Sequence, residues 1–319
     1  MYKLCLTLVL VSVFVLTGYG QKDSLSKADK ATLDSMMKND AFLDLMKEGR
    51  KNSLDVSIGV GNGSFSAHNQ AVNATGTNNL VIFTPAVFYR TKVGFSVGVT
   101  GYLTSDSGKM ELYQTGVSAA YDYAGKVVNA GVSYTRFISD QSKYNSKSIY
   151  QNDLYAYIKK SSGIIKPVLA LGFSGGKFKE ISPIIFPPNS GIVRKDSTDN
   201  NTSYFSTSVG IEHDLNFNNV FSKNDELDII PALAVNAGSD KTTTTHINKA
   251  FSNIKALSRR ARSAATTKFQ LQSVSASVDI TLSIGKFFLQ PNIYIDYYLP
   301  STTAKRLSGI YSLTAGFSF

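Results

Sequence analysis

The feature that most constrains this chain is a strict two-residue alternation between Ser273 and Phe319. Val274, Ala276, Val278, Ile280, Leu282 and Ile284 are all apolar, and Ser273, Ser275, Ser277, Asp279, Thr281 and Ser283 between them are all polar. The pattern restarts after Gly285-Lys286: Phe287, Leu289, Pro291, Ile293, Ile295, Tyr297 and Leu299 alternate with a face carrying Gln290, Asn292, Tyr294, Asp296 and Tyr298. A third run sets Tyr311, Leu313, Ala315, Phe317 and Phe319 against Ser312, Thr314, Gly316 and Ser318. Period two over this length means long strands with one apolar and one wet face. Strands of soluble domains have a modal length of about five or six residues. A tilted strand crossing a bilayer needs roughly nine to eleven. The alternation therefore predicts an all-β chain: a single antiparallel transmembrane β-barrel, apolar outside and polar within.

The first twenty residues read as an export signal, and 1–20 is assigned to it. Lys3 supplies the positive start, Leu4 to Thr17 the apolar stretch, and Gly18 to Gly20 the small residues before cleavage. Cys5 is the one cysteine and falls inside this segment, so the expected mature chain has no disulfide and no thiol chemistry. Residues 21–53 differ in pattern from the rest of the chain. Leu25, Ala28, Leu33, Met36 and Met37, then Phe42, Leu43, Leu45 and Met46, recur at helical spacing, with Gly49 as a stop. They predict a short N-terminal helical segment, periplasmic or inserted into the lumen as a plug.

The barrel is expected over residues 54–319. Mean hydropathy is −0.06, low for a membrane protein made of helices but natural for a barrel, in which half of every strand is polar. The formal charge is +10, or +9 without Lys3. Export argues against nucleic acid as the reason and points to anionic lipopolysaccharide as the neighbour. With no Trp, aromatic girdles at the membrane surfaces must come from the 17 Tyr and 19 Phe.

Twelve strands can be counted, within a range of 10–14, and their connections alternate long and short. Residues 67–78, 105–109, 140–149, 177–201 and 239–267 are long. Residues 91–92, Ala124-Gly125, Ser161 to Gly163 and Gly285 are short. This parity is expected when odd connections are extracellular and even ones are periplasmic turns. The stretch from Asp214 to Asn224 breaks the rule.

An export signal, amphipathic strands and a last strand ending in Phe319, with Phe317 and Tyr311 on its outward face, resemble Gram-negative outer-membrane β-barrel proteins of porin-like architecture. The resemblance implies location in the bacterial outer membrane, with its lipids and lipopolysaccharide as neighbours. It also implies delivery by the barrel-assembly machinery, with Tyr311, Phe317 and Phe319 as the assembly signal. Substrate and oligomeric state are left open.

Little in the sequence suggests chemistry. His68, His213 and His246 fall in connections or at a strand end, none beside a candidate serine nucleophile in mid-strand. They lack metal-ligand spacing, so no catalytic, cofactor or metal site is expected. Gly59, Gly61 and Gly63 imitate a phosphate loop, but no Lys-Ser or Lys-Thr comes after them. Alternation instead places Asp55, Asp122, Lys166, Glu212, Asp228, Asp279 and Asp296 towards the lumen. A ring of carboxylates favours cations, unless the acids pair with bases such as Lys27, Lys30 and Lys47. Tyr102, Tyr294 and Tyr298 are also candidate lumen residues, either stacking on a solute or filling a narrow pore. In the longest connection, Phe251, Ile254 and Leu257 predict a short helix. Arg259, Arg260 and Arg262 come next, as lipopolysaccharide phosphate contacts or as a solvated cluster. The preferred function is a porin-like channel for small hydrophilic solutes. The alternatives are a non-conducting structural or surface-interaction barrel and, remotely, an outer-membrane lipid hydrolase.

Overall fold

The computed structural model describes residues 51–62, 81–106, 109–139, 150–185, 193–223, 225–247, 262–266, 268–300 and 306–319. The expected export signal and helical segment, the predicted helix near 251–257, and Arg259 and Arg260 lie outside the described residues. What is described is all-β. The strands are β1 (Ser53–Gly61), β2 (Ile82–Arg90), β3 (Phe95–Asp106), β4 (Lys109–Ala124), β5 (Val128–Ser139), β6 (Asn152–Lys160) and β7 (Lys166–Ile185). They continue with β8 (Val193–Glu212), β9 (Leu215–Asn218), β10 (Asp225–Ile247), β11 (Arg262–Thr266), β12 (Gln270–Ile284), β13 (Phe287–Tyr298) and β14 (Leu307–Ser318).

Twelve of these close a ring in the order β1 to β8, β10, β12, β13, β14, with β9 and β11 as short additions beside β10. Every pairing is antiparallel, and β14 returns to β1. Closure is completed by reciprocal bonds, Leu54 N–H to the Phe319 carbonyl and Phe319 N–H to that of Leu54, both 3.0 Å. At the other end of the seam the Asn62 side chain acts as one more rung. Its amide donates to the Gly309 carbonyl at 2.9 Å, and its oxygen accepts from the Tyr311 N–H at 2.8 Å. A closed ring is what a bilayer demands, since lipid cannot satisfy a bare strand edge.

The outside is apolar. Leu54, Val56, Ile58 and Val60 on β1, Val97 and Val99 on β3, and Leu233 and Val235 on β10 are all exposed. Aromatic residues border this belt at both ends. Tyr89, Phe95, Tyr121, Tyr123, Phe317 and Phe319 ring the short-turn end, and Tyr134, Phe173, Phe205, Tyr297 and Tyr311 the long-connection end. An exposed apolar surface that encircles a molecule between two aromatic girdles is a lipid-facing surface.

Two departures from the sequence expectation have physical causes. Connections expected at 177–201 and 239–267 are in large part strand: β7 runs to Ile185, β8 begins at Val193, and β10 continues to Ile247. The extension of β10, Asp-Lys-Thr-Thr-Thr-Thr at 240–245, has no apolar alternation to mark it, and that of β7 carries Phe178, Ile181, Ile184 and Ile185 out of strict period two. Alternation reports a strand only where one side is greasy. The second departure is the long connection after β8. Strand β9 pairs with the base of β10 in the same register as β8: Glu212 pairs with Ala232 and Leu215 with Ile229. The two are one strand interrupted at His213-Asp214, opposite Pro231. The Pro231 carbonyl accepts from the His213 N–H at 3.1 Å, but proline has no N–H to return.

The turn after β9 is organised by one carboxylate. The N–H groups of Val220, Phe221 and Ser222 donate to Asp225 at 2.7, 2.7 and 2.6 Å, and Asn219 takes a positive φ of 59°. Desolvation opposes ionisation of Asp225, but these backbone donors outweigh it and hold the carboxyl below the usual carboxylate range. A depressed value means that the stabilisation is present above the unfolded value, about 3.9, and is lost as pH falls through the lower folded one. The Val220, Phe221 and Ser222 amide resonances are expected to titrate together with a midpoint below the ordinary Asp value. Asp225→Asn is expected to abolish that titration and broaden all three.

Candidate functional site

The interior-facing residues form three zones. At mid-depth most are small: Ser57 and Gly59 on β1, Thr84 and Ala86 on β2, Gly98 and Thr100 on β3, Ser118 and Ala120 on β4, and Ser208 and Gly210 on β8, with Tyr155 and Tyr157 of β6 and Gln290 and Asn292 of β13 as bulky exceptions. Several glycines are seats for aromatic rings. Gly98 pairs directly with Phe88, Gly131 with Tyr157 and Gly316 with Phe288, and in each case the ring occupies the space a Cβ would need. A ring lying on the backbone of the next strand covers the wall without entering the passage, a packing known to rescue glycine in sheets. Gly98→Val is therefore expected to tip Phe88 off the wall. The cost should be about 1–3 kcal/mol, as for overpacking elsewhere, measured by denaturant unfolding in lipid. An unchanged unfolding midpoint would show that the ring has another place to lie.

Towards the short-turn end the lining is charged and largely paired. Asp55 meets the Arg90 guanidinium at 2.9 Å, Glu212 meets Lys159 at 3.0 Å, and Lys166 meets Asp214 at 2.5 Å. Asp122 accepts from the Tyr157 hydroxyl at 2.8 Å, and Asp228 from the Asn216 amide at 2.6 Å. Asp279 is on the same lining, across from Asn292. The partners of Asp55 and Glu212 are thus Arg90 and Lys159 of the wall itself. Alternation reaches both positions, on the same faces as Phe88 and Tyr157. Each is the last inward residue of its strand before a turn, however, where the pattern has no next member to mark the face.

Towards the long-connection end the lining is aromatic and polar. Tyr102, Tyr113, Phe137 and Ile82 pack together, with ring centroids 6.4 Å (Tyr102–Tyr113) and 6.1 Å (Tyr102–Phe137) apart. Around the rest of the ring, the Ser174 hydroxyl donates to Asp153 at 2.7 Å and the Tyr204 hydroxyl donates to Gln272. Asn236 donates to Ser273 and Ser275 at 3.1 Å each, and Tyr294 donates to Asp296 at 3.3 Å. Tyr298 is half-buried beside Ser273. Alternation predicts Tyr102, Tyr294, Tyr298 and Asp296 among these. It misses Tyr113, Gln114, Asp153, Tyr204 and Gln272. Tyr113 and Gln272 sit on β-bulges, where alternation slips by one residue.

Outside, Tyr311, Phe317 and Phe319 are exposed, with Phe317 against Phe287 at 5.6 Å and Lys286 over the Phe319 ring at 5.1 Å. Arg262 is the first residue of β11. His213 is at the short-turn end, its ring Nδ1 against the Ile164 carbonyl. No cluster of metal-ligating side chains occurs among the described residues.

No family model matches the sequence, and no curated protein does. Solved structures match at very low identity and with low TM-scores. The NanC porin is 9% identical with a TM-score of 0.32, over 83% of this chain and 98% of that one. A bacterial polysaccharide outer-membrane secretin is 9% identical with a TM-score of 0.34, over 85% and 99%. The CymD monoaromatic hydrocarbon channel is 8% identical with a TM-score of 0.35, over 89% and 91%. The closed ring, the lipid-facing belt and the two aromatic girdles are features of this structure in their own right, and by them the described part of the chain is a closed twelve-stranded transmembrane β-barrel.

Proposed function

We propose that the barrel is a channel for small hydrophilic solutes. The observation that carries this reading is the predominance of Gly, Ala, Ser and Thr in the mid-depth lining, with aromatic rings seated over glycines. A barrel whose lumen served only as a core would fill it with large side chains. In this reading residues 1–20 direct export and the long connections face outward, with lipopolysaccharide as neighbour and Arg259, Arg260 and Arg262 as candidate contacts. Tyr311, Phe317 and Phe319 present the assembly signal. Purified barrel inserted into planar bilayers should give discrete conductance steps, and liposomes containing it should swell in small sugars. A silent barrel under both assays would end the reading.

One observation favours a second reading. β7 and β8 have 20 residues each and β10 has 23, about twice what a bilayer requires. Together they raise a paired sheet beyond the lipid, a platform suited to a surface partner. That reading predicts no conductance and loss of binding when the extensions are trimmed.

A further inference from the structure

We infer that the passage is narrowed between two opposed β-bulges, and that this constriction admits cations in preference to anions. The inference deepens the channel reading and rests on it. The first bulge lies in β4: Tyr102 pairs with Gln114 and Leu103 with Leu112, which leaves Tyr113 as an extra residue. The second lies in β12: Asn236 pairs with Ser273 and Ala237 with Leu271, which leaves Gln272 extra. In a regular strand one of two neighbours must face lipid, whereas a bulge turns both inward. Tyr113 and Gln114 are both buried, as are Gln272 and Ser273. β4 and β12 stand six places apart in a ring of twelve, so they face each other. Each bulge falls in the part of its strand nearest the long connections. Two chain irregularities thus commit four side chains to narrowing one level of the lumen, above a mid-depth zone lined by small residues.

The two walls of this level differ in chemistry. The β4 side is an aromatic surface made by Tyr102, Tyr113 and Phe137. Flanking β12 are the carboxylates Asp240 and Asp296. Their described hydrogen bonds come from hydroxyls, Thr202 to Asp240 at 3.3 Å and Tyr294 to Asp296 at 3.3 Å. A hydroxyl donor orients a carboxylate without cancelling its charge, unlike the guanidinium and ammonium partners at the inner end. Carboxylates in a narrow, partly dehydrated level act on a passing ion more strongly than they would in bulk water. An aromatic face opposite them suits a cation as well, since the ring quadrupole attracts positive charge.

The test uses the full barrel in planar bilayers with two sets of variants, each checked for strand content and heat-modifiable migration. Tyr113→Ala with Gln272→Ala, the extra residue of each bulge, widens the level. Asp240→Asn with Asp296→Asn removes charge at constant shape and guards against a folding failure of the first set. Widening is expected to raise single-channel conductance about twofold or more. Neutralisation is expected to move the zero-current potential in a potassium chloride gradient towards that of an unselective pore. Native channels that conduct but respond to neither set would overturn the inference and leave the channel reading intact. A silent native barrel that conducts once widened would support the constriction and overturn the open-channel reading. Silence in both would overturn both.

Discussion

Leu233→Arg is expected to destabilise the barrel by roughly 2–4 kcal/mol, the cost of a cation on the lipid face near the bilayer midplane. Leu233 is 56% exposed and stands in the apolar run Leu227, Ile229, Pro231, Leu233, Val235 of β10. An arginine there must either thin the membrane or drag water inward. The neighbour Ala232 provides the control. It faces the lumen beside Glu212, with which it is paired across β8 and β10, so Ala232→Arg gains a carboxylate and water and should cost far less. Guanidinium unfolding in lipid vesicles measures both. Equal losses would mean that the face assignment, and with it the inside and outside of the barrel, is wrong.

The second large effect is expected from the inner mouth. Replacing Asp55, Asp122, Glu212 and Asp228 by Asn or Gln should turn a weakly cation-attracting ring into an anion-attracting one. Removing Asp55 and Glu212 strips Arg90 and Lys159 of the carboxylates they meet at 2.9 and 3.0 Å, while Lys166 keeps its partner Asp214. The net charge changes by the same four units as for four free acids, but from a less negative start, because two ion pairs become two bare cations, and so the sign of the ring reverses. Each charge at contact range is worth about 1 kcal/mol in bulk water and more in a restricted passage. The effect should shrink in 1 M salt, where the Debye length is about 3 Å. Reversal potentials in a salt gradient report the sign. An unchanged cation preference would place the selecting charges elsewhere, at the outer constriction.

The ring and its faces were legible because lipid and water impose opposite demands on adjacent side chains. The strand from Val274 to Ile284 reads correctly without any structure. Legibility ended wherever that contrast ended. The upper parts of β8 and β10 are polar at successive positions and that of β7 carries its apolar residues out of period, so all three read as loops. The bulges at Tyr113 and Gln272 shift the phase by one residue, and a phase shift carries no compositional mark. The resulting error was concentrated where it mattered most, since the narrowest level of the lumen is built from them. The interruption at His213-Asp214 has its cause in Pro231, a residue distant in sequence and adjacent only across the ladder.

The seam between β1 and β14 has a consequence for how such a molecule comes into being. The Asn62 side chain bonds Gly309 across 247 positions of sequence, so the contacts that finish the ring are also the least local in the chain. Closing so long a loop is entropically tolerable, since each doubling of length adds only about 0.6 kcal/mol. What is intolerable is the stage before it, when eleven strands would present two bare edges to hydrocarbon. Partial rings are therefore disfavoured as resting states in the membrane, and the barrel has reason to form as one cooperative event, with Leu54 and Phe319 meeting as the last stitch.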